Sequence, residues 1–210
     1  NVPAQNFEKL PPLTLKEYNL KNGMRVILHQ DRSTPIVSVG VWYHVGSKNE
    51  VTGRTGFAHL FEHMMFQGSK NYDADYFTPL QEAGANINGT TNQDRTWYFE
   101  TVPSNFLELA MMLEADRLGG LTEAMTQAKL DNQRDVVKNE RRQRVDNQPY
   151  GTAFEKIGEI MYPKGHPYNW TTIGSLEDLQ AASMEDVKSF FRQYYVPNNA
   201  ILVLSGDFDE

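Results

Sequence analysis

The chain has 210 residues, of which 40% are hydrophobic and 22% charged, so it is long enough to bury a sizeable core as one large domain. Its net charge of −7 and the lack of a long Lys/Arg run argue against nucleic-acid binding. No apolar run approaches the about 18 residues of a membrane-spanning helix, and the lack of cysteine excludes disulfides, thiolate metal sites and cysteine nucleophiles.

The first third of the chain is predicted to hold most of the strands. Residues 1–14 are predicted to be an irregular lead-in, and residues 15–210 a single domain that is the first part of a longer chain. Alternating apolar residues on both sides of Asn22-Gly23 predict a hairpin, because this dipeptide favours the tight turn between antiparallel strands. The elements predicted here are strands at 15–20, 24–29 and 36–45, then helices at 56–67 and 75–82.

The rest of the chain is predicted to be mainly helical. The predicted elements are an edge strand at 84–91, a strand at 95–102, helices at 103–118, 123–145, 150–161 and 183–195, and a last strand at 200–204. Gly119-Gly120 is predicted to end the first of these helices, and Ser183 to begin the last one with a capping box. This order favours an α+β fold, an antiparallel-dominated mixed sheet with helices packed mainly on one face.

The pattern His59-x-x-Glu62-His63 is the strongest chemical signal in the sequence. On a helix the two histidines lie one turn apart on one face, where they can hold one zinc ion, and Glu62 lies close enough to deprotonate a zinc-bound water. This order, with the glutamate before the second histidine, is the inverted motif of the zinc peptidases called inverzincins. Its neighbours are apolar, so the helix is predicted to be buried. The alternative is structural: two capped core histidines and a salt-bridged glutamate.

The third protein ligand that a catalytic zinc site needs is not fixed by this pattern. His29 and His44 lie on predicted strands and His166 in a loop, so each is expected to be a surface residue or to support a ligand. Glu140 follows two apolar residues by three and four positions, so it can share the inward face of the long middle helix. On pattern alone, a ligand role and a surface role for Glu140 stay equally open.

A resemblance to a known family covers nearly the whole chain. Besides the inverted motif it is carried by Leu20-Lys-Asn-Gly-Met-Arg-Val26, Gly165-His-Pro-Tyr168, Thr172-Ile-Gly174, Tyr194-Tyr-Val-Pro-Asn-Asn-Ala200 and Leu204-Ser-Gly-Asp207. These segments resemble the pitrilysin family of zinc peptidases, which includes insulin-degrading enzyme and the mitochondrial processing peptidases. In that family a glutamate ligand follows the motif at a distance similar to the 76 residues between His63 and Glu140. The resemblance implies that His59, His63 and Glu140 bind one Zn²⁺ per chain and that Glu62 is the general base.

The family also has an edge strand after the motif helix, on which an Asn and a small residue bind the substrate backbone. The segment at 84–91 resembles that strand, which implies Asn88 and Gly89 as substrate contacts and strand addition as the binding mode. The alternative is a turn rich in Asn and Gly that binds nothing. One position departs from the pattern: many relatives have a second acidic residue seven positions before the ligand glutamate, where this chain has Gln133. Its neutrality would make the site less negative.

The function that the resemblance implies is that of the N-terminal catalytic domain of a zinc metalloendopeptidase acting on peptides or small proteins in extended conformation. It also implies a second homologous half, C-terminal or a separate subunit, without which little activity is expected. Two alternatives stay open: a zinc-loaded but weakly active peptide-binding subunit with a catalytic partner, and a structural zinc domain, which the missing fourth ligand disfavours. Relatives favour a bacterial periplasmic or extracytoplasmic location, with the signal peptide absent from this sequence.

Overall fold

The strands and helices follow one another along the chain largely as predicted. In the computed structural model, which describes residues 13–209, the strands are β1 (Lys16–Asn19), β2 (Arg25–Gln30), β3 (Ile36–Tyr43), β4 (Asn86–Thr91), β5 (Thr96–Pro103) and β6 (Ala200–Gly206). The helices are α1 (Phe57–Met64), α2 (Phe77–Glu82), α3 (Leu107–Ala124), α4 (Gln127–Arg141), α5 (Ala153–Met161), α6 (Leu176–Ala181) and α7 (Met184–Tyr194), with a π-helical turn at Arg142–Asp146. Of the predicted lead-in at 1–14, only residues 13 and 14 lie within the described residues.

The six strands form one mixed sheet in the order β1-β2-β6-β3-β5-β4. Strand β6 pairs in parallel with β2 and antiparallel with β3, and the other neighbouring pairs are antiparallel. The last strand of the described chain therefore returns to the middle of the sheet, and β4 lies at an edge. This arrangement confirms the predicted fold class and the edge position of the segment at 84–91.

The helices cover mainly one face of the sheet, and the core lies between them. Alternate residues of β3, among them Val37, Val39 and Val41, are buried on that face, whereas Trp42 is only half-buried on the other. Helix α3 packs against β3 and β5, while α1 and α2 pack against β4. Helix α1 also contacts α4, so it is held between the edge strand and the long middle helix.

Helix α1 carries the inverted motif and is as buried as its apolar sequence predicts. Its apolar residues all belong to the core: Phe57, Ala58, Leu60, Phe61 and Met64. The buried side chain of Glu50 lies at its N-terminus, where Oε2 accepts a bond from the Gly56 N–H at 3.0 Å and Oε1 one from the Ala58 N–H at 2.8 Å. These bonds satisfy two backbone donors that have no partner inside the helix, and so fix where it begins.

The prediction that Gly119-Gly120 ends a helix is wrong, because α3 continues to Ala124. Gly120 is buried where the chain at Lys70 crosses the helix: a Cβ on Gly120 would lie 2.6 Å from Lys70 Cβ, and the Lys70 N–H donates to the Gly120 carbonyl at 3.2 Å. Leu121, just beyond, is buried in the core. The glycine therefore allows a close approach between two chain segments, and packing offsets its low helix propensity.

Two further boundaries differ from the prediction. Helix α4 begins at Gln127 and not near residue 123, because Thr126 is extended and its side chain accepts a bond from the Lys129 N–H at 3.3 Å. The six-residue helix α6 is absent from the prediction, although Ser175 caps it by accepting from the Asp178 N–H at 3.0 Å. Both helices begin at a hydroxyl cap, which is a local signal.

Candidate metal centre and active site

The structure brings His59, His63 and Glu140 together. Helix α1 places the two histidines one turn apart facing α4, and Glu140 lies near the end of α4. The Nε2 atoms of His59 and His63 lie 3.6 Å and 3.2 Å from Oε2 of Glu140. The candidate ligand atoms all lie within 4.8 Å of one another, and within residues 13–209 no other three His, Asp or Glu side chains form such a group.

The three side chains fit a zinc ion in both chemistry and spacing. Ligands held about 2.0–2.2 Å from one tetrahedral ion lie about 3.4 Å from one another, close to the two separations from Glu140. The imidazole rings are nearly perpendicular, at 83° with 4.8 Å between centroids. Two imidazoles and one carboxylate are a donor set of hydrolytic zinc sites, and three protein ligands leave one position open for water or substrate.

The charges of these groups also suit a cation. Burial and the neighbouring His63 lower the pKa of His59 to about 4, so His59 is neutral near pH 7, as a metal-binding imidazole must be. A hydrogen bond from His63, together with the nearby positive charges, holds the pKa of Glu140 below its usual range. Before any metal binds, the group therefore already contains a neutral imidazole, His59, and an anionic carboxylate, Glu140.

The carboxylate of Glu140 is oriented from its outer side. Its Oε1 pairs with Arg144 Nη1 at 2.6 Å, which leaves Oε2 facing the histidines. The expectation that Glu140 follows two inward apolar residues is half right, because Val137 is fully buried and Val136 is exposed. A helix turns about 100° per residue, so consecutive side chains point in different directions, and of these two only Val137 lies on the inward side of α4.

Glu62 lies on α1 between the two histidines and faces the edge strand. Thr91 Oγ1 on β4 donates a hydrogen bond to Glu62 Oε2 at 2.5 Å. Burial raises the pKa of Glu62, although the bond from Thr91 opposes this change. Thr91 is not among the residues predicted from the sequence, although alternate residues of a strand share a face and Thr91 is two positions beyond Gly89.

Strand β4 brings both predicted substrate contacts to the site. A Cβ on Gly89 would lie 3.2 Å from Glu62 Cγ and 3.1 Å from Phe66 Cε2, so the strand passes very close to the motif helix. Asn88 Oδ1 accepts a bond from the Gly89 N–H at 2.8 Å. Among the described strands β4 pairs only with β5, so its outer edge has no strand partner there.

A cavity of about 220 Å³ adjoins Glu62 and His63. Phe66 and Phe77 supply its apolar walls, and Asn88 lines it from the edge strand. Gln133, the position that departs from the family pattern, is buried and lines the same cavity. Its neutral amide is therefore part of the surface beside the candidate catalytic residues.

The other histidines of the described chain bond elsewhere. His29 Nδ1 lies 3.1 Å from Ser205 Oγ, and His44 Nε2 lies 3.3 Å from Lys48 Nζ. His166 Nδ1 accepts a bond from the backbone of Tyr168 at 3.1 Å. None of the three joins the metal-binding group.

Comparison with known proteins identifies the family. The family described as Insulinase (Peptidase family M16) matches residues 25–172. The chain belongs to peptidase family M16. The resemblance to the pitrilysin-type zinc peptidases is thereby confirmed, and with it the fold class.

Two curated relatives show how much of an M16 protein this chain represents. The zinc protease PqqE of Helicobacter pylori is 36% identical over 190 residues, which cover 90% of this chain and 42% of the relative. The mitochondrial-processing peptidase subunit beta of Blastocladiella emersonii is 24% identical over the whole chain, which covers 42% of that subunit. The chain therefore spans less than half the length of these M16 relatives.

Solved structures give the same picture of the fold. A protease from Helicobacter pylori superposes with a TM-score of 0.89 at 35% identity, covering 94% of this chain and 47% of that one. Pitrilysin superposes with a TM-score of 0.83 at 23% identity, covering 95% and 22%. An M16 domain from Pseudomonas fluorescens described as inactive has a TM-score of 0.84 at 19% identity, covering 94% and 47%. An M16 fold therefore does not by itself show that a protein is an active peptidase.

No helix in the described part of the chain is long and apolar enough to span a membrane. One M16 structure of similar fold, PqqL from Escherichia coli, is described as a periplasmic protease.

Proposed function

We propose that residues 15–210 are the catalytic domain of a zinc-dependent endopeptidase, in which His59, His63 and Glu140 hold one Zn²⁺ and Glu62 is the general base. The observation that carries the proposal is the meeting of these three side chains from two helices, with a partly buried carboxylate of the same motif beside them. M16 membership and relatives named zinc proteases support it.

Each residue has a distinct role in hydrolysis. A zinc ion held by His59, His63 and Glu140 would supply a Lewis acid for the scissile carbonyl and for the attacking water. Glu62 accepts a proton from the attacking water and then delivers it to the nitrogen of the leaving amine. Its raised pKa suits this second role, because a carboxyl that holds its proton more firmly can carry it from one step to the next. Thr91 keeps the side chain oriented.

The substrate is proposed to be a peptide or small protein that adds to β4 as a further strand. The backbone of Asn88 and Gly89 lies at this unpaired edge and next to Glu62, so main-chain bonds there would place a scissile bond near the base. The cavity walled by Phe66 and Phe77 can receive a side chain beside the scissile bond.

The complete peptidase is proposed to contain a second M16 half, in the same chain or as a separate subunit. The support is the coverage of relatives, which is 42% for PqqE and 47% for the Helicobacter pylori structure. An extracytoplasmic location is part of this proposal, by likeness to the periplasmic PqqL. A zinc-loaded, weakly active peptide-binding subunit is the alternative, supported by Gln133 in the active-site cavity and by the fold's occurrence in an inactive domain.

Metal analysis of the full-length protein tests the ligand assignment. The wild type is expected to retain one zinc per chain, and the His59→Ala, His63→Ala double variant to retain none, since it loses two of three ligands. His44→Ala is the matched control, because His44 bonds Lys48 outside the group. Stoichiometric zinc in the double variant would overturn the assignment.

A further inference from the structure

Helix α5 carries its apolar side chains toward solvent. Phe154 and Ile160 are 82% and 83% exposed, Met161 is 68% exposed and Ile157 is 49% exposed. The spacing of positions 154, 157 and 161 is that of one helix face. No residue of α5 is buried, although its sequence is strongly amphipathic.

The side of α5 that carries Glu155 faces the protein. Glu155 pairs with Arg141 through bonds of 2.5 Å and 3.1 Å, and Thr171 Oγ1 donates to the same carboxylate at 3.3 Å. Glu159, one turn further, lines the same cleft together with Asn169. An amphipathic helix of a globular protein normally buries its apolar face, so α5 is docked the opposite way round.

A further exposed aromatic residue lies three positions before the helix. Tyr150 is 92% exposed and has a φ of 60°, and it is the one non-glycine residue in the described chain with a positive φ. A left-handed backbone at an aromatic residue is strained, and such strain concentrates at functional positions. We call Tyr150, Phe154, Ile157, Ile160 and Met161 the α5 stripe; they are five of the thirteen large apolar residues exposed in residues 13–209.

The α5 stripe is joined to the metal centre through covalent and ionic links. Arg141 directly follows Glu140 and binds α5 through Glu155. Arg144, in the turn between α4 and α5, pairs with the outer oxygen of Glu140. Whatever covers the α5 stripe therefore stabilises the segment that orients a proposed ligand.

We propose that the α5 stripe is the surface on which the second M16 half of the full-length protein packs. The M16 relatives are more than twice as long as the part that this chain matches. The remaining part of such a protein is large enough to pack against the α5 stripe. Contiguous apolar surface rich in aromatic residues and methionine is typical of permanent interfaces. A lipid surface would call for basic residues beside the stripe, whereas α5 has one lysine and two glutamates and the chain has a net charge of −7.

Photo-crosslinking in the full-length protein tests the occupant. A benzophenone amino acid replaces Phe154 or Ile160, and the crosslinked peptides are mapped by mass spectrometry. The matched control is the same substitution at Met112, an isolated exposed apolar residue on α3. We expect crosslinks from α5 to the second half and few from position 112. Crosslinks between two copies of the first half, or crosslinks that form only when a peptide substrate is added, would overturn the proposal.

Thiol labelling gives an independent measurement in the same protein. Residues 1–210 contain no cysteine, so an Ile160→Cys variant carries one new thiol in this half. Its alkylation, measured on the digested peptide, is expected to be at least about tenfold slower than that of Glu185→Cys on α7. Equal rates would overturn the proposal.

This inference rests on the second half in the proposed function, but it is independent of the metal and of hydrolysis. Neither crosslinking nor labelling requires zinc or turnover. If both the crosslinking and the labelling experiments fail, the peptidase proposal still stands. If the full-length protein shows the crosslinks but no hydrolysis, the proposed role of the α5 stripe still stands.

Discussion

The side chains of the proposed active site depend on hydrogen bonds and ion pairs from elements other than their own. Glu140 belongs to α4 and is held by Arg144 in the following turn. Glu62 belongs to α1 and is held by Thr91 on the edge strand. Buried polar groups need such partners, because an unpaired oxygen in a low-dielectric site costs about 1–3 kcal/mol. The role of each reacting group therefore depends on a neighbour that does not itself react.

Replacing Thr91 by Val should slow hydrolysis without removing zinc. The change keeps the size of the side chain but deletes the donor to Glu62, so the base is less well oriented. We expect kcat of the full-length protein to fall by about tenfold, the scale of one lost hydrogen bond, while KM and zinc content stay close to wild type.

Two variants test whether the loss of kcat comes from poorer orientation of Glu62 or from a general disturbance of the sheet. Thr91→Ser keeps a hydroxyl and should restore most of kcat. Thr101→Val removes a strand hydroxyl that bonds Ser38 and is no part of the site, so it should leave kcat unchanged. A Thr91→Val enzyme with wild-type kcat would show that Glu62 needs no help from the edge strand.

Helix α1 is the element on which the site is built, and it begins at a cap from outside the helix. Glu50 accepts the N–H groups of Gly56 and Ala58, six and eight residues further along the chain. Burial raises the pKa of Glu50 to about 8, and the two backbone hydrogen bonds oppose this change. The position of His59 and His63 therefore depends on a carboxylate that belongs to no predicted motif.

Glu50→Ala should destabilise the protein by about 1–3 kcal/mol, because two buried backbone donors lose their acceptor. Urea unfolding of zinc-free protein should show a lower midpoint, and zinc affinity should fall as α1 loses its anchor. The control is Glu185→Ala at an exposed position of α7, where little change is expected. Equal midpoints for Glu50→Ala and wild type would contradict this role.

Local signals in the sequence predict many of the helices and strands. Helix α7 is predicted from Ser183, whose side chain and that of Asp186 form the expected capping box. Helix α6 is missing from the prediction although Ser175 caps it, whereas α2, which is equally short, is predicted. The predicted end of α3 at Gly119-Gly120 is wrong because Gly120 is selected by contact with Lys70, fifty residues away in the chain.

Some residues of the proposed site can be predicted from a short motif, and others cannot. His59, Glu62 and His63 lie within five residues, so their spacing alone predicts their chemistry. Glu140 is separated from His63 by 76 residues, and its role stays open on pattern until the family resemblance is considered. Thr91 bonds Glu62 across a tertiary contact, which no short pattern contains, whereas Glu50 lies only six and eight residues before the N–H groups that it binds but belongs to no predicted motif.

At the scale of the whole molecule, the domain presents an open site. The edge of β4 has no strand partner among the described residues, and the α5 stripe is exposed beside the metal centre. Electrostatic interactions weaken where water has access, so an open groove is a poor setting for hydrolysis. A second half that covers the groove would exclude water and bind the substrate from its other side.

Residues 1–210 alone are therefore expected to bind zinc but to cleave peptides poorly. Without the second half, weaker substrate binding should raise KM, and poorer positioning of the scissile bond should lower kcat. A fluorogenic peptide assay compares residues 1–210 with the full-length protein and with residues 1–210 supplemented by the separate second half. Equal activity in the three samples would mean that the site is complete within this chain.

The central claim is that Glu62 is the base of a zinc peptidase, and Glu62→Gln in the full-length protein tests it most directly. The amide keeps the shape of the side chain and its bond from Thr91 but cannot take a proton. Zinc content and peptide binding are measured beside turnover, with Glu82→Gln as the control at an exposed glutamate. We predict full zinc, retained binding and a fall in kcat of about 10² or more. Wild-type turnover in the zinc-loaded variant would contradict the account.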